Sequence, residues 1–387
     1  MIDLNASATE DVYPGRSSYF WFRAFQRFLL QHSGFSQLAE MLGGEAAMSF
    51  PPAELYMKHT RAVAFLHHSL NEKLRLSYAR VVGAFLSDQL ANAGDPNGHL
   101  PDEDEKTLQR LDTRGYAFLP RLSELQLDVL TSWFHRQPLI PNAQISDSCS
   151  GDIELRSAEE LRADHNLGQI PRNLVLGMPG LPDLVSNPTL LGIVRKNLCV
   201  PPILIDVSAW RSFCAPDGAK TAKDAQLFHY DQDDYRFCKV FIYLTDVDID
   251  TGPHVFIPGS HSPQKIAACR PPEGDHRRDD FDRWYFKTLR KSEEDSIAWL
   301  GTQPDFVTGA AGTVFVANTE GIHRGEPPRS RDRCVVQLVF GITPFSMWEG
   351  PYPLPVLRGW DGEPATLESE PARYALHMLA FPGWPQN

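Results

Sequence analysis

The sequence predicts an α+β protein whose centre is a double-stranded β-helix, that is, a jelly-roll or cupin-like barrel, with flanking helices and an N-terminal helical extension. Two observations predict the barrel. Between residues 203 and 341 the chain contains several short runs rich in Val, Ile, Phe and Tyr, separated by turns that contain Gly and Pro. Residues able to bind a metal stand beside these runs, so the barrel is expected to close around a buried site.

The strands of the barrel are predicted from their apolar runs. The turn residues 250–253 are predicted to join the strands 238–245 and 254–258 as a pair. An insertion at 262–304 is charged and aromatic, which favours helices that form part of the wall of a pocket. The predicted strands cover residues 203–210, 238–245, 254–258, 312–317 and 333–341.

Three further elements precede the barrel. Residues 115–120 predict a short strand, and the Ser123–Gln126 capping box predicts that a helix follows over 127–135. Asn187 and Pro188 are a cap and a first-turn proline for a helix over 189–198. Residues 140–180 are polar and give few signals, and they could cover the mouth of the site.

The first hundred residues predict helices without visible chemistry. Apolar residues recur at helical spacing in 17–32 and again in 52–90. Turn-forming residues at 93–98 and the acidic run 102–105 have the composition of a linker. We therefore predict a helical extension over 1–105, a barrel core over 106–345 and a Pro/Trp-rich tail over 346–387 that packs on the core.

The composition excludes several classes of protein. The chain has 387 residues, 42% hydrophobic and 22% charged, which is ordinary for a soluble globular protein. The net charge is −12 and no long basic block occurs, so nucleic acid is not an expected partner. No apolar run approaches the ~20 residues that span a membrane. Its first residues do not resemble a signal peptide, so we expect a cytoplasmic protein.

The cysteine pattern agrees with a reducing compartment. The six cysteines are scattered and include no Cys-x-x-Cys pair. This spacing favours reduced, buried thiols over a disulfide framework or a zinc site.

Three residues predict a metal site. His229 and Asp231 stand two residues apart beside a strand, and side chains with this spacing in an extended segment point to the same face. His323 follows Asp231 by 92 residues and precedes the last strand. Two imidazoles and one carboxylate form the facial triad of non-haem Fe(II) oxygenases, which leaves the other positions on the metal open.

Arg333 is the expected anion-binding residue. It stands ten residues after His323, at the start of the last strand. Its planar guanidinium group could bind a carboxylate of a co-substrate that is bound on the metal.

These features together resemble the phytanoyl-CoA dioxygenase family of Fe(II)/2-oxoglutarate oxygenases. The family pattern is His-x-Asp, a strand, a turn ending in Pro-Gly-Ser-His, and a distal His with an Arg about ten residues later. This chain has His229-Tyr230-Asp231, the turn 252–261, His323 and Arg333 in that order. The resemblance covers roughly residues 110–345.

The resemblance implies the function, the cofactors and the ligands. His229, Asp231 and His323 would hold Fe(II), and Arg333 would bind the far carboxylate of 2-oxoglutarate. The expected reaction oxidises a C–H bond of a small organic molecule, by default through hydroxylation, and converts 2-oxoglutarate and O2 to succinate and CO2. The presence of Asp231 argues against a halogenase of this class. A monomer or a homodimer is expected.

One position departs from the family. The family often has a hydroxyl residue two positions after the distal His, and here that position is Gly325. Another group must then complete the carboxylate pocket, and Tyr243 is the candidate.

Alternatives remain open for several residues and for the function. Asp233 and Asp234 are rival carboxylates, His254 and His261 are rival histidines with expected structural roles, and Arg324, Arg329 and Arg331 are rivals of Arg333. The alternative functions are a cupin-like metal enzyme that does not use 2-oxoglutarate and a non-catalytic binding protein on the same barrel.

Overall fold

The computed structural model describes residues 27–31, 39–40, 43–49, 100–141, 155–175, 177–185, 187–199, 202–214, 224–234 and 236–342. Residues 27–31 are helical, as predicted, and Gly44–Ser49 form a 3-10 helix. The helical region predicted at 52–90 and the tail at 346–387 lie outside the described residues. The division of the chain into three parts therefore stays a prediction.

Ten strands in these described ranges form two antiparallel sheets. Their bounds are β1 Tyr116–Leu119, β2 Ile140–Pro141, β3 Leu167–Gln169, β4 Ile203–Ser212, β5 Cys238–Tyr243, β6 His254–Phe256, β7 Asp305–Val307, β8 Val314–Ala317, β9 His323–Gly325 and β10 Arg333–Gly341. The larger sheet has the order β1-β8-β5-β10-β4-β3-β2, and the smaller sheet has the order β7-β6-β9.

The smaller sheet packs over one face of the larger sheet. Val307 of β7 belongs to a buried cluster with Phe241, Tyr243 and Phe315 of the larger sheet. The ring of His254 in β6 lies 4.9 Å from the ring of Phe241. Two antiparallel sheets that face each other across a core form the predicted double-stranded β-helix.

Helices cover the opposite face of the larger sheet. Alternate residues of the central strands, such as Val240 of β5 and Val336 of β10, pack there against Leu111, Trp133 and other apolar side chains of the helices. The helices are α1 Asp102–Arg114, α2 Glu124–His135, α3 Ala158–Asp164, α4 Arg172–Val175, α5 Leu181–Val185 and α6 Pro188–Leu198. Because both faces of β5 are covered, all six of its residues are buried.

Local sequence signals set where two of these helices begin. Ser123 caps α2: its side chain accepts a hydrogen bond from the backbone N–H of Gln126, and Gln126 Oε1 accepts one from the N–H of Ser123 at 3.0 Å. Asn187 caps α6 by accepting a hydrogen bond from the N–H of Leu190 at 3.1 Å, and Pro188 occupies the first turn. Both predictions are confirmed.

The insertion between β6 and β7 is helical, as predicted. It contains α7 Pro263–Cys269, α8 Arg278–Asp282, a π-helix Arg283–Lys287 and α9 Glu293–Leu300. Its buried residues form a cluster of their own that includes Phe281, Trp284 and Leu300. The same cluster contains Phe228 and Ile322, so the insertion packs against the two residues that immediately precede His229 and His323.

The structure differs from the sequence predictions at several places. The predicted strand pair 238–245 and 254–258 is not a pair, because β5 lies in the larger sheet and β6 in the smaller one. The acidic run 102–105, interpreted as a linker, is the first turn of α1, where negative charge stabilises a helix. Strand β3, within the region 140–180, was not predicted, and it extends the larger sheet beyond β4.

In the part of the chain that the structure describes, no helix combines the length and the apolar character needed to cross a membrane.

Candidate active site

The structure brings His229, Asp231 and His323 together. Their ligand atoms all lie within 4.8 Å of one another. Asp231 is central, because its Oδ1 lies 3.4 Å from Nε2 of His229 and its Oδ2 lies 3.3 Å from Nε2 of His323. Both histidines are buried. The predicted convergence of three side chains from distant parts of the chain is therefore present.

Backbone hydrogen bonds fix the spacing of these residues. The N–H of His229 donates to the carbonyl of His323 at 3.0 Å, and the N–H of His323 donates to the carbonyl of His229 at 2.8 Å. The N–H of Asp231 donates to the carbonyl of Thr319 at 2.8 Å. The loop that carries the His-x-Asp motif is thereby tied directly to the start of β9.

The orientation of both imidazoles leaves Nε2 available to a metal. Nδ1 of His229 lies 2.7 Å from the carbonyl oxygen of Leu227, and Nδ1 of His323 lies 2.9 Å from that of Gly321. Because a carbonyl can only accept a hydrogen bond, Nδ1 carries the proton in each ring. In the neutral form of each ring, Nε2 then presents a lone pair, the arrangement found in metal-binding histidines.

The electrostatics suit a divalent metal. Burial, followed by the charge of His323, lowers the pKa of His229, which favours the neutral imidazole. Burial alone would raise the pKa of Asp231, but the charges of Lys239 and then His323 outweigh it and hold that pKa well below its usual range. Two imidazoles and one carboxylate are the donor set of a non-haem Fe(II) site, so the residues fit this metal.

The rival ligands have other partners. Asp233 Oδ2 lies 2.7 Å from Nζ of Lys239, and buried Asp234 accepts a hydrogen bond from the N–H of Ile342 at 2.7 Å. Nε2 of His261 lies 2.8 Å from the carbonyl oxygen of Asp112, at the end of the Pro-Gly-Ser-His turn. His254 stacks on the ring of His323, with ring centroids 5.2 Å apart.

Arg333 is a buried cation that lacks a carboxylate partner within the described ranges. Its Nη1 donates to the carbonyl of Gly252, its Nη2 donates to Oγ of Ser212 at 3.2 Å, and its buried Nε has no hydrogen-bond partner there. Burial lowers its pKa, because the charged form is poorly solvated. A buried guanidinium group is costly unless an anion accompanies it, so this site is suited to a carboxylate ligand.

The rival arginines are already paired. Arg324 lies 2.8 Å from carboxylate oxygens of both Glu293 and Glu326. Arg329 pairs with Glu326 at 3.3 Å, and Arg331 pairs with Asp248 at 3.0 Å. Among these four arginines, Arg333 alone lacks a carboxylate partner in the described part of the chain.

Tyr243 lies beside the same cavity, but its hydroxyl group is engaged. It donates to the carbonyl of Val307 at 2.8 Å and accepts from the N–H of His254 at 3.0 Å. It could donate to a bound carboxylate only after it released Val307. Burial raises its pKa to about 12, so it stays protonated at neutral pH.

A cavity of about 840 Å³ contains all five predicted site residues in its wall. The insertion contributes Leu289 and Arg290 to this wall, which confirms the prediction that it helps to enclose a pocket. Tyr230, between the two ligands of the His-x-Asp motif, stacks on Tyr285 of the insertion, with ring centroids 5.4 Å apart. The insertion therefore contacts the metal-binding loop directly.

Sequence reasoning missed two residues of the site. Lys239 is a charged residue inside the buried strand β5, and this unusual position could have predicted that carboxylates lie nearby. Ser212 ends β4 and carries no local signal. Its place opposite Arg333 depends on the pairing of β4 with β10.

Comparison with known proteins adds the following matches. A family model described as phytanoyl-CoA dioxygenase (PhyH) matches residues 115–334. The crystal structure of HygX from Streptomyces hygroscopicus with nickel and 2-oxoglutarate bound is similar at 15% identity and a TM-score of 0.41, over 63% of this chain and 87% of that one. AviO1 from Streptomyces viridochromogenes Tue57 is similar at 14% identity and a TM-score of 0.38, over 63% of this chain and 96% of that one.

A third solved structure is the epimerase SnoN in complex with Fe3+, alpha ketoglutarate and nogalamycin RO. It is similar at 15% identity and a TM-score of 0.40, over 62% of this chain and 84% of that one. No curated protein sequence matches the chain.

Proposed function

The chain belongs to the phytanoyl-CoA dioxygenase family, and from this premise we propose that it hydroxylates a C–H bond of a small organic molecule at an iron held by His229, Asp231 and His323. The family consists of non-haem iron oxygenases that use 2-oxoglutarate and O2, so the chain is an enzyme of this type. The proposed reaction is balanced as R–H + 2-oxoglutarate + O2 → R–OH + succinate + CO2.

The observation that carries the assignment of the site is the convergence of the three ligand atoms within 4.8 Å. His229 and His323 would bind the metal through Nε2, and Asp231 would bind through one carboxylate oxygen. When bound, the iron and 2-oxoglutarate supply the oxidising power, through oxidative decarboxylation of the co-substrate. The remaining steps of binding and orientation belong to the residues of this chain.

Arg333 supports the use of 2-oxoglutarate. Its buried charge, which has no carboxylate partner among the described residues, would be neutralised by the far carboxylate of the co-substrate in a charge-assisted hydrogen bond. Binding would therefore remove an electrostatic penalty that the ligand-free protein carries. This contribution favours a dicarboxylic 2-oxo acid over a monocarboxylic one.

The cavity supports a small-molecule substrate. Its volume of about 840 Å³ lies within the usual range of ligand sites. Phe241, His254 and Phe315 form an aromatic cluster beside the ring of His323, and they limit the access of water to that side of the metal ligands. Residues of the insertion wall another part of the cavity, where they would orient the substrate.

Anaerobic titration with Fe(II) and 2-oxoglutarate tests this function. We expect a weak visible charge-transfer band for the wild-type protein and its loss in His229→Ala. His276→Ala is the matched control, because the His276 side chain is 91% exposed and lies outside the site, and it should retain the band. Metal-loaded wild-type protein without a band would contradict the proposal.

A second measurement separates the proposed oxygenase from a metal enzyme that does not use 2-oxoglutarate. With isotopically labelled O2, the wild-type protein should form succinate that contains one labelled oxygen atom. Formation should require both Fe(II) and 2-oxoglutarate. Consumption of O2 without the formation of succinate would favour a metal enzyme that does not use 2-oxoglutarate.

A further inference from the structure

We propose that Ser212 is a second binding residue for the far carboxylate of 2-oxoglutarate and shares that carboxylate with Arg333. The inference rests on the proposed function, because it concerns the co-substrate of the same site. The family often has a hydroxyl residue at the position of Gly325, and Ser212 would supply the hydroxyl group that this glycine lacks.

Strand pairing places Ser212 opposite Arg333. Ser212 is the last residue of β4, and Arg333 is the first residue of β10 and its direct partner in the antiparallel ladder. Ser212 Oγ accepts a hydrogen bond from Nη2 of Arg333 at 3.2 Å. The side chain of Ser212 is 1% exposed and forms part of the cavity wall.

The hydroxyl proton of Ser212 is available to a ligand. Because Oγ accepts from the guanidinium group, its own proton must point towards another acceptor. The described residues supply no such acceptor, and they leave Nε of Arg333 without one as well. Two adjacent buried groups thus have spare donors, and a carboxylate with two oxygens could accept from both.

Gly325 and Tyr243 fit this role less well. A Cβ at position 325 would lie 3.0 Å from Nη2 of Arg333, so a hydroxyl side chain there would stand beside the nitrogen that now donates to Ser212. Ser212 therefore supplies from β4 the group that position 325 lacks. The hydroxyl proton of Tyr243 is already donated to Val307.

Ser212→Ala tests the inference through ligand binding rather than turnover. The protein is loaded with Ni(II) to prevent turnover, and calorimetry measures the Kd of 2-oxoglutarate and of 2-oxopentanoate, which lacks the far carboxylate. We expect Ser212→Ala to weaken 2-oxoglutarate about 10- to 100-fold, the loss expected for a hydrogen bond to a charged group. The Kd of 2-oxopentanoate should change less than about threefold.

Ser208→Ala is the matched control. Ser208 lies four residues earlier on β4, and its Oγ accepts a hydrogen bond from Nε2 of Gln337 at 3.3 Å instead of contacting Arg333. The Ser208→Ala variant should bind 2-oxoglutarate with the same affinity as the wild type. Ser212→Cys is the second test variant, because it keeps a slightly larger side chain of the same shape but replaces the hydroxyl with a weak donor, and it should show the same selective loss.

Two outcomes would overturn the inference. One is an unchanged Kd for 2-oxoglutarate in both Ser212 variants. The other is an equal loss of affinity for both acids, which would indicate general damage to the site. A wild-type protein that binds metal but does not bind 2-oxoglutarate would instead refute the proposed function, and the inference with it.

Discussion

Lys239 Nζ lies 2.7 Å from Oδ2 of Asp231, so a proposed metal ligand is also the ion-pair partner of a buried lysine. The same ammonium group lies 2.7 Å from Oδ2 of Asp233. Burial would lower the pKa of Lys239, but the two carboxylates outweigh it and raise that pKa, which keeps the lysine charged. One cation thus compensates two carboxylates, of which Asp231 also lies within 3.4 Å of Nε2 of His229.

The two carboxylates should therefore respond differently to the same substitution. Asp231→Asn should weaken Fe(II) binding by about 100-fold or more, because it removes a charged ligand. Asp233→Asn should change the affinity by less than about threefold, because Asp233 contacts Lys239 and is not one of the three clustered ligands. Anaerobic metal titration measures both. Equal losses would contradict the assignment of Asp231 as the ligand.

Arg333→Met should preserve the stability of the ligand-free protein but abolish its stabilisation by 2-oxoglutarate. The ligand-free variant should be as stable as the wild type or more so, because it lacks a buried charge that has no carboxylate partner in the described part of the chain. In the wild-type Ni(II) protein, 2-oxoglutarate at 100 times its Kd should add about 2.7 kcal/mol to the free energy of unfolding. The variant should show no such gain in urea unfolding.

Arg331→Met is the control for that experiment. Arg331 is half exposed and pairs with Asp248, so its loss should leave the full stabilisation by 2-oxoglutarate. A normal response of Arg333→Met to the ligand would show that the carboxylate binds elsewhere.

Gly321→Ala should disturb the segment that holds His323. A Cβ at position 321 would lie 2.5 Å from Cζ of Phe256 and 2.8 Å from the backbone nitrogen of His261, so the turn must move. The carbonyl of Gly321 also accepts from Nδ1 of His323. We expect a loss of about 1–3 kcal/mol in unfolding free energy and a Fe(II) affinity lowered about 10-fold.

Gly177→Ala provides the comparison for Gly321. The nearest atom to a Cβ there is the carbonyl oxygen of Leu174 at 3.4 Å, an ordinary contact. Denaturant unfolding and metal titration should show little change. Comparable losses in the two alanine variants would mean that close packing around Gly321 does not position His323.

Lys291 should make the stability of the protein depend on pH. Burial, followed by the charge of Arg290, lowers its pKa from 10.5 to about 8. Between these values the unfolded chain binds a proton that the folded protein lacks, so the free energy of unfolding rises with pH. Relative to Lys291→Met, the wild type should gain up to about 3 kcal/mol between about pH 8 and pH 10.5.

The surroundings of Lys291 make this measurement informative. Its Nζ lies 4.6 Å from the ring centroid of Tyr230 and 5.7 Å from that of Trp284, and aromatic faces favour the charged form. Urea unfolding of both proteins at about pH 7 and about pH 10 measures the difference. A difference that does not change with pH would show that the rings cancel the penalty of burial.

The sequence predicts the elements whose signals are local. Strand β10 follows from its continuous apolar run, and α2 follows from the Ser123 capping box. Strand β3 has only three residues with a central Gly168, and it exists because its backbone pairs with β4. Its sequence carries no periodic signal that could reveal that pairing.

The same distinction applies to the site. Short motifs with defined spacing predict the metal ligands, and the number of residues between His323 and Arg333 predicts the role of Arg333. Ser212 and Arg333 are 121 residues apart, and the register of two long strands brings them together. The contact of Lys239 with both Asp231 and Asp233 likewise depends on how a loop folds back over β5. Such long-range relationships are visible only in three dimensions.

The reciprocal main-chain hydrogen bonds between His229 and His323 have a consequence for how this centre could change. The separation of these two positions is a property of the polypeptide backbone and does not depend on which donor atoms the side chains offer. A carboxylate or a thiolate introduced at either position would therefore be attached to a Cα atom in the same position as that of the histidine. A substitution at either position could therefore exchange one coordinating group, and with it the preferred metal ion, without a change in the rest of the barrel.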